Sequence, residues 1–258
     1  MEDFRKYKRF FAFGCSFTNY HWSTWADIIG AEIPEYYNYG NPASGNTYIF
    51  SSIVEANIRH KFTKDDLIVV MWSSLDREDR YIDNKWQAKG SVFRSLDNFY
   101  DKEFVMKYVD TRGFFIRDAT LITATTKMLK GLDYHFLSMV PFNNAEFGDQ
   151  ENIEDYLKVF FEDGLTQVKS SVWETVYSCD WTQHRIVKYL DSKGKEQNDL
   201  HPTPMLHLLY LQRTFPEINI KSETIQYLEE QEKIIYSEKY FDRTKYSFTN
   251  TRKKHNRL

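Results

Sequence analysis

Ser16, Asp199 and His201 are the residues of this 258-residue chain whose types and surroundings point most directly to chemistry. Ser16 lies in RFFAFGCSFT (9–18), where the apolar run Phe10–Phe13 reads as a short buried strand that stops at Gly14. A serine just past the C-terminal end of such a strand, beside a glycine that permits a sharp turn, projects its hydroxyl into the crevice where open α/β sheets bind ligands. Forming a turn or capping a helix is the commoner duty of a serine in that place. Asp199-Leu200-His201-Pro202, near the other end of the chain, supplies the acid and the base that a serine nucleophile needs. His201 would take the hydroxyl proton and return it to the leaving group, while Asp199 would fix the imidazole tautomer and stabilise the imidazolium. In an extended Asp-Leu-His both side chains share a face, so contact is feasible; otherwise Asp199 caps the helix after Pro202 and His201 is a surface loop residue. His207 is a rival base, but among Met205, Leu206, Leu208 and Leu209 it reads first as a packing residue. Cys15 is a second potential nucleophile. Adjacent side chains at a strand end point opposite ways, so with Ser16 in the crevice Cys15 faces the core.

GCSFT (14–18), NPASGNT (41–47), VVMWSSLDRE (69–78) and DLHPTP (199–204), in that order, resemble the four sequence blocks of the SGNH/GDSL hydrolases. Gly14-Cys15-Ser16 is similar to the family's Gly-Asp-Ser, with Cys15 in place of Asp, and Ser44-Gly45-Asn46-Thr47 resembles its Ser-Gly-Asp-Thr turn. The third block departs, because Trp72-Ser73-Ser74 stands where the family has Gly-x-Asn-Asp. The fourth block has Asp199-x-His201 instead of Asp-x-x-His, similar to the alginate O-acetyltransferase branch. The resemblance implies a flavodoxin-like three-layer α/β/α sandwich with a central parallel sheet, and an esterase, lipase, deacetylase or acyltransferase activity. It implies an oxyanion hole built from the N–H groups of Ser16 and Gly45, with the third donor, an Asn side chain in the family, falling to Ser73 or Ser74 near Asn46. Removing one such donor typically costs about 10²–10³ in rate, so this substitution bears directly on activity.

The elements that would position these residues follow from periodicity. Helical spacing marks 22–29 and 47–60, 35–39 reads as a second strand, and Leu67–Trp72 is a continuous apolar run suited to a central parallel strand. This strand–helix rhythm predicts right-handed crossovers in a parallel sheet. Residues 75–112 resist phasing and read as an insertion over the carboxyl edge of the sheet, a lid or specificity element. Further on, a helix is expected at 114–130, a strand at 134–141 ending in the Asn143-Asn144 turn, short helical pieces over 151–178, and a helix at 203–215 with Pro204 in its first turn. The boundaries are a hydrolase-like domain over 1–220 and a charged helix at 222–235 with the basic tail TRKKHNRL (251–258) as a C-terminal appendage.

Composition narrows the function classes. A formal net charge of −3 gives no global pull toward nucleic acid or anionic membrane, and the tail alone is a weak basis for nucleic-acid binding. Two cysteines make no disulfide framework and suit a reducing, cytoplasmic compartment. No apolar stretch approaches a membrane span, and MEDFRKYKRF lacks the apolar core of a secretory signal. Neither a phosphate-binding glycine loop nor a metal-ligand spacing is present, so no cofactor or metal is expected. Aromatic residues make up 17% of the chain, and usage rich in Phe, Tyr, Asn and Lys suits an AT-rich, viral genome. Most aromatic side chains must be core; Trp22, Trp25, Trp72 and Trp86 are also candidates to line a pocket for a sugar or other ring. Arg77, after the third strand, can hold a carboxylate, phosphate or sulfate, or else pair with Asp76, Glu78 or Asp79. Asn46, Trp72, Arg77 and Trp86 are therefore the expected substrate-binding residues. Two function classes remain: an enzyme acting on an O-acyl ester, preferably of a carbohydrate, through a Ser16 acyl-enzyme taken up by water or by a sugar hydroxyl, or a non-catalytic binding or structural module of the same fold.

Overall fold

The computed structural model describes residues 4–94, 99–141, 164–178 and 186–244. The Asn143-Asn144 turn, the first part of the helical stretch expected over 151–178 and the basic tail lie outside the described residues. Four strands, β1 (Arg9–Phe13), β2 (Glu35–Asn38), β3 (Asp66–Trp72) and β6 (Asp133–Ser138), form one parallel sheet in the order β2-β1-β3-β6. The order reverses between β1 and β3, so a crevice opens at their carboxyl ends.

The strands alternate between two cores, which is why their sequences read as unbroken apolar runs. Phe10 and Ala12 of β1 and Leu67, Val69 and Met71 of β3 point to one face, with α1 (Trp25–Gly30), α6 (Pro204–Thr214) and α7 (Ser222–Ile235). Phe11, Phe13, Ile68, Val70 and Trp72 point to the other, with α2 (Asn46–His60) and α4 (Thr111–Met128). The result is a three-layer α/β/α sandwich. The charged helix α7, expected as an appendage, packs through Leu228 into the first core, and its Gln231 exchanges hydrogen bonds with Ser23.

The described residues of 75–112 form regular elements where the sequence offered no period. They include an antiparallel hairpin, β4 (Arg77–Ile82) with β5 (Lys85–Ser91), then a 3-10 turn (Val92–Arg94) and α3 (Lys102–Tyr108). A short helix, α5 (Val172–Thr175), precedes a second hairpin, β7 (Val187–Leu190) with β8 (Glu196–Asp199), which delivers Asp199. Among the described residues no helix is long and apolar enough to cross a membrane.

Candidate active site

Gly14 ends β1 so tightly that a Cβ there would lie 2.1 Å from Thr18 Oγ1 and 3.0 Å from the Met71 carbonyl oxygen. Only glycine permits that approach, and the turn it allows swings Cys15 into the core against Met139 Sδ while Ser16 lines the crevice. Asp199 ends β8, and His201 follows two residues on, its backbone N–H bonded to Asp199 Oδ1 (3.0 Å). That local turn brings His201 Nδ1 to 2.7 Å from the same carboxylate oxygen and Nε2 to 2.9 Å from Ser16 Oγ. The structure thus joins Ser16, His201 and Asp199 in one hydrogen-bonded chain. With Nδ1–H donated to the carboxylate, Nε2 faces the serine as an acceptor.

Two residues that the sequence did not single out hold this chain in place. Tyr20 donates its hydroxyl to Asp199 Oδ2 (2.6 Å) and stacks its ring on the His201 imidazole, centroids 3.8 Å apart. Arg243 forms an ion pair with the same Oδ2 and lies over the Tyr189 ring at 3.4 Å. Burial alone would raise the Asp199 carboxyl, but His201, Arg243 and Tyr20 together hold it well below the usual carboxylate range. Burial and the facing Asp199 push the Tyr20 hydroxyl far up, so it stays a donor. Phe17 meets the His201 ring edge-on. His207, the rival base, is buried against Phe17, pushed down to about 3 by burial and separated from the cavity lining.

The expected oxyanion donors are placed differently. Gly45 caps α2 without a side chain, and the carboxylate of Asp79, from β4, accepts from Gly45 N–H (2.8 Å) and Tyr48 N–H (2.9 Å). These are the two donors that a capping box normally satisfies from within the helix. A Cβ at Gly45 would lie 2.8 Å from the Arg77 Cβ, so this glycine serves the approach of the hairpin. Gly45 N–H therefore does not face the crevice as a free donor. Ser74 donates to Asp76, and Ser73 is fully buried. Asn46 bridges the end of β3 to α4: its Oδ1 accepts from Ser73 N–H and its Nδ2 donates to Asp118, both at 2.7 Å. It is a structural link, not a substrate contact. Ser16 N–H is left as the expected donor that no described residue engages.

The tryptophans are corrected too. Trp22, Trp25 and Trp72 are 0% exposed, because each completes a core where no polar substrate reaches. Trp86 packs edge-on against Tyr48 over α2 and does not line the cavity. The cavity beside Ser16, about 600 Å³, is walled instead by Phe17, Met139, Val140, Trp173, Tyr189 and Leu200, with Arg77 among its polar residues. Arg77 donates to the Ser44 carbonyl (3.0 Å) and reaches Met139 Sδ, and forms no ion pair with Asp76, Glu78 or Asp79. From the 75–112 stretch Arg77, Lys89, Gly90 and Arg94 line this cavity, and none of its aromatic residues is in the described lining. Among the described residues no group of three or more His, Cys, Asp and Glu side chains is placed to hold a metal ion.

No protein-family model and no curated protein matches the sequence. Among solved structures it is similar to a member of the lipolytic G-D-S-L family from Veillonella parvula DSM 2008, at 15% identity over 81% of this chain and 99% of that one, with a TM-score of 0.41. A mutant of an acetyl-xylooligosaccharide esterase from Geobacillus aligns at 14% identity over 83% of this chain and 97% of that one, with a TM-score of 0.44. An acetylxylan esterase from Geobacillus stearothermophilus aligns at 14% identity over the same shares, with a TM-score of 0.40.

Proposed function

We propose that this protein is an SGNH-type serine esterase acting on an O-acyl ester, preferably of a carbohydrate. The observation that carries the reading is the chain of hydrogen bonds from Ser16 Oγ through His201 to Asp199 at the edge of a cavity large enough for a sugar ester. His201 Nε2 removes the Ser16 proton as Oγ attacks the ester carbonyl, and the tetrahedral oxyanion is met by Ser16 N–H. Arg77, which lines the same cavity, adds its charge in place of the donors that Gly45 and Ser74 direct to Asp79 and Asp76. His201 then returns its proton to the departing alcohol, leaving an acyl-Ser16 that water attacks with His201 again as base. A sugar hydroxyl taking the place of that water would make the same site an acyltransferase.

A second reading, a binding module of the same fold, is favoured by one observation: Gly45 N–H and Ser74 Oγ are both engaged away from the crevice. Turnover of p-nitrophenyl acetate separates the two. The esterase reading expects turnover that Ser16→Ala lowers by at least about 10³-fold. Absence of turnover on this and on acetylated sugars, or full turnover by Ser16→Ala, would contradict it.

A further inference from the structure

The turn that leads into α2 is strained beside the nucleophile. Ser44 N–H donates to the Asn41 carbonyl (3.2 Å), which closes Asn41-Pro42-Ala43-Ser44 as a β-turn, and Ala43 at its third position has φ 65°. Proline second and a positive φ third are the signature of a type II turn, whose third position suits glycine or asparagine. An alanine held there is strained, and such strain persists only where the surroundings impose it. Both strands of hairpin β4–β5 do so. Gly90 N–H donates to the Ala43 carbonyl and the Arg77 guanidinium to the Ser44 carbonyl, each at 3.0 Å. The first residue of the turn is tied to the strand end that carries the nucleophile, with Asn41 N–H donating to the Gly14 carbonyl (3.0 Å). Pro42 and Ala43 line the same cavity as Ser16 and His201. The closing bond of a type II turn leaves out its central peptide, and no described residue accepts from Ala43 N–H.

We propose, resting on the esterase reading above, that Ala43 N–H is the second oxyanion donor, in the role that Gly45 N–H has given up to Asp79, and that hairpin β4–β5 is the element that builds it. As Ser16 Oγ forms its bond to the acyl carbon, its proton passes to His201 Nε2 and the π pair of the ester C=O moves onto the carbonyl oxygen. That oxygen accepts from Ser16 N–H and Ala43 N–H together. Its lone pair then re-forms the C=O while the bond to the alcohol oxygen breaks, and the leaving oxygen takes the proton from His201. A backbone donor locked by the hairpin suits this task, because the strain is met in folding and no reorganisation is needed at the transition state.

The test replaces Ala43 by lactic acid through nonsense suppression, which keeps the methyl group and puts a backbone ester oxygen where the N–H was. On p-nitrophenyl acetate this ester variant should lose about 10²-fold in kcat with KM nearly unchanged, because the donor acts on charge that develops only in the transition state. Its melting temperature should match that of the wild type, since no described residue loses a hydrogen bond. A further pair of variants keeps the N–H and differs in what it tolerates at φ. Ala43→Gly, relaxed at a positive φ, should retain kcat within about threefold, whereas Ala43→Val, which resists it, should lose at least about tenfold. An ester variant with kcat within about twofold of the wild type, or equal kcat in Ala43→Gly and Ala43→Val, would overturn the donor while leaving the esterase reading intact. A wild type that turns over no ester and takes no fluorophosphonate would remove the esterase, and the donor with it.

Discussion

At the residue scale the unusual group is the acid. One oxygen of Asp199 takes the imidazole and the other takes both Tyr20 and Arg243, so the carboxylate is fixed from three sides. Tyr20 has two separable duties, a hydrogen bond to the acid and a face for the base. Tyr20→Phe keeps the stack and should lower kcat on p-nitrophenyl acetate by less than about tenfold, whereas Tyr20→Ala loses both and should cost more than about tenfold, with KM little changed. Equal kcat values for the two variants in steady-state assays would refute the separation. Ser16→Ala should leave the melting temperature almost unchanged, because losing one hydroxyl at a cavity wall opens no large void. Ser16, Asp199 and His201 were legible in the sequence because a strand end and an Asp-x-His turn each show locally. Tyr20 and Arg243 were not, since they act through other residues, and Arg243 reaches Asp199 from 44 residues away.

At the element scale the hairpin β4–β5 explains most of what the sequence concealed. Its residues REDRYI and KWQAKGS mix charge with aromatic groups and follow no clean alternation, because the register shifts between Arg77 and Asp79 and, of the two strands, only Asp79 is buried. Gly45 looks like an oxyanion donor in the sequence, and its occupation by a carboxylate 34 residues away is visible only in the fold. Asp79→Ala should leave two helix N–H groups without their acceptor, costing about 2 kcal/mol and lowering the melting temperature by roughly 4–8 °C. An unchanged melting curve would show that the cap contributes nothing. The parallel strands were legible because each is buried on both faces and therefore reads as one apolar run. Hairpin β7–β8 was missed because VKYL and EQND are short and largely polar.

At the scale of the whole molecule, buried ionisable groups set the pH response. Burial pushes Asp118 up to about 6 despite its bonds to Arg117 and Asn46, so its contribution is full below the unfolded carboxylate pKa of about 4 and is lost as pH rises through 6. His207, pushed down to about 3 by burial, runs oppositely: its contribution is present above the unfolded pKa of about 6.5 and fades as pH falls. The melting temperature of the wild type minus that of Asp118→Asn should therefore fall from pH 4 to 7, and the difference from His207→Gln should rise over the same range. Matching slopes for the two variants would contradict the burial account. The intact folded protein also permits the most direct test of Ser16 as nucleophile, namely labelling with a fluorophosphonate and mapping of the modified residue by mass spectrometry. The expected result is a single adduct on Ser16, absent in Ser16→Ala; no adduct, or one on Cys15 or elsewhere, would contradict it.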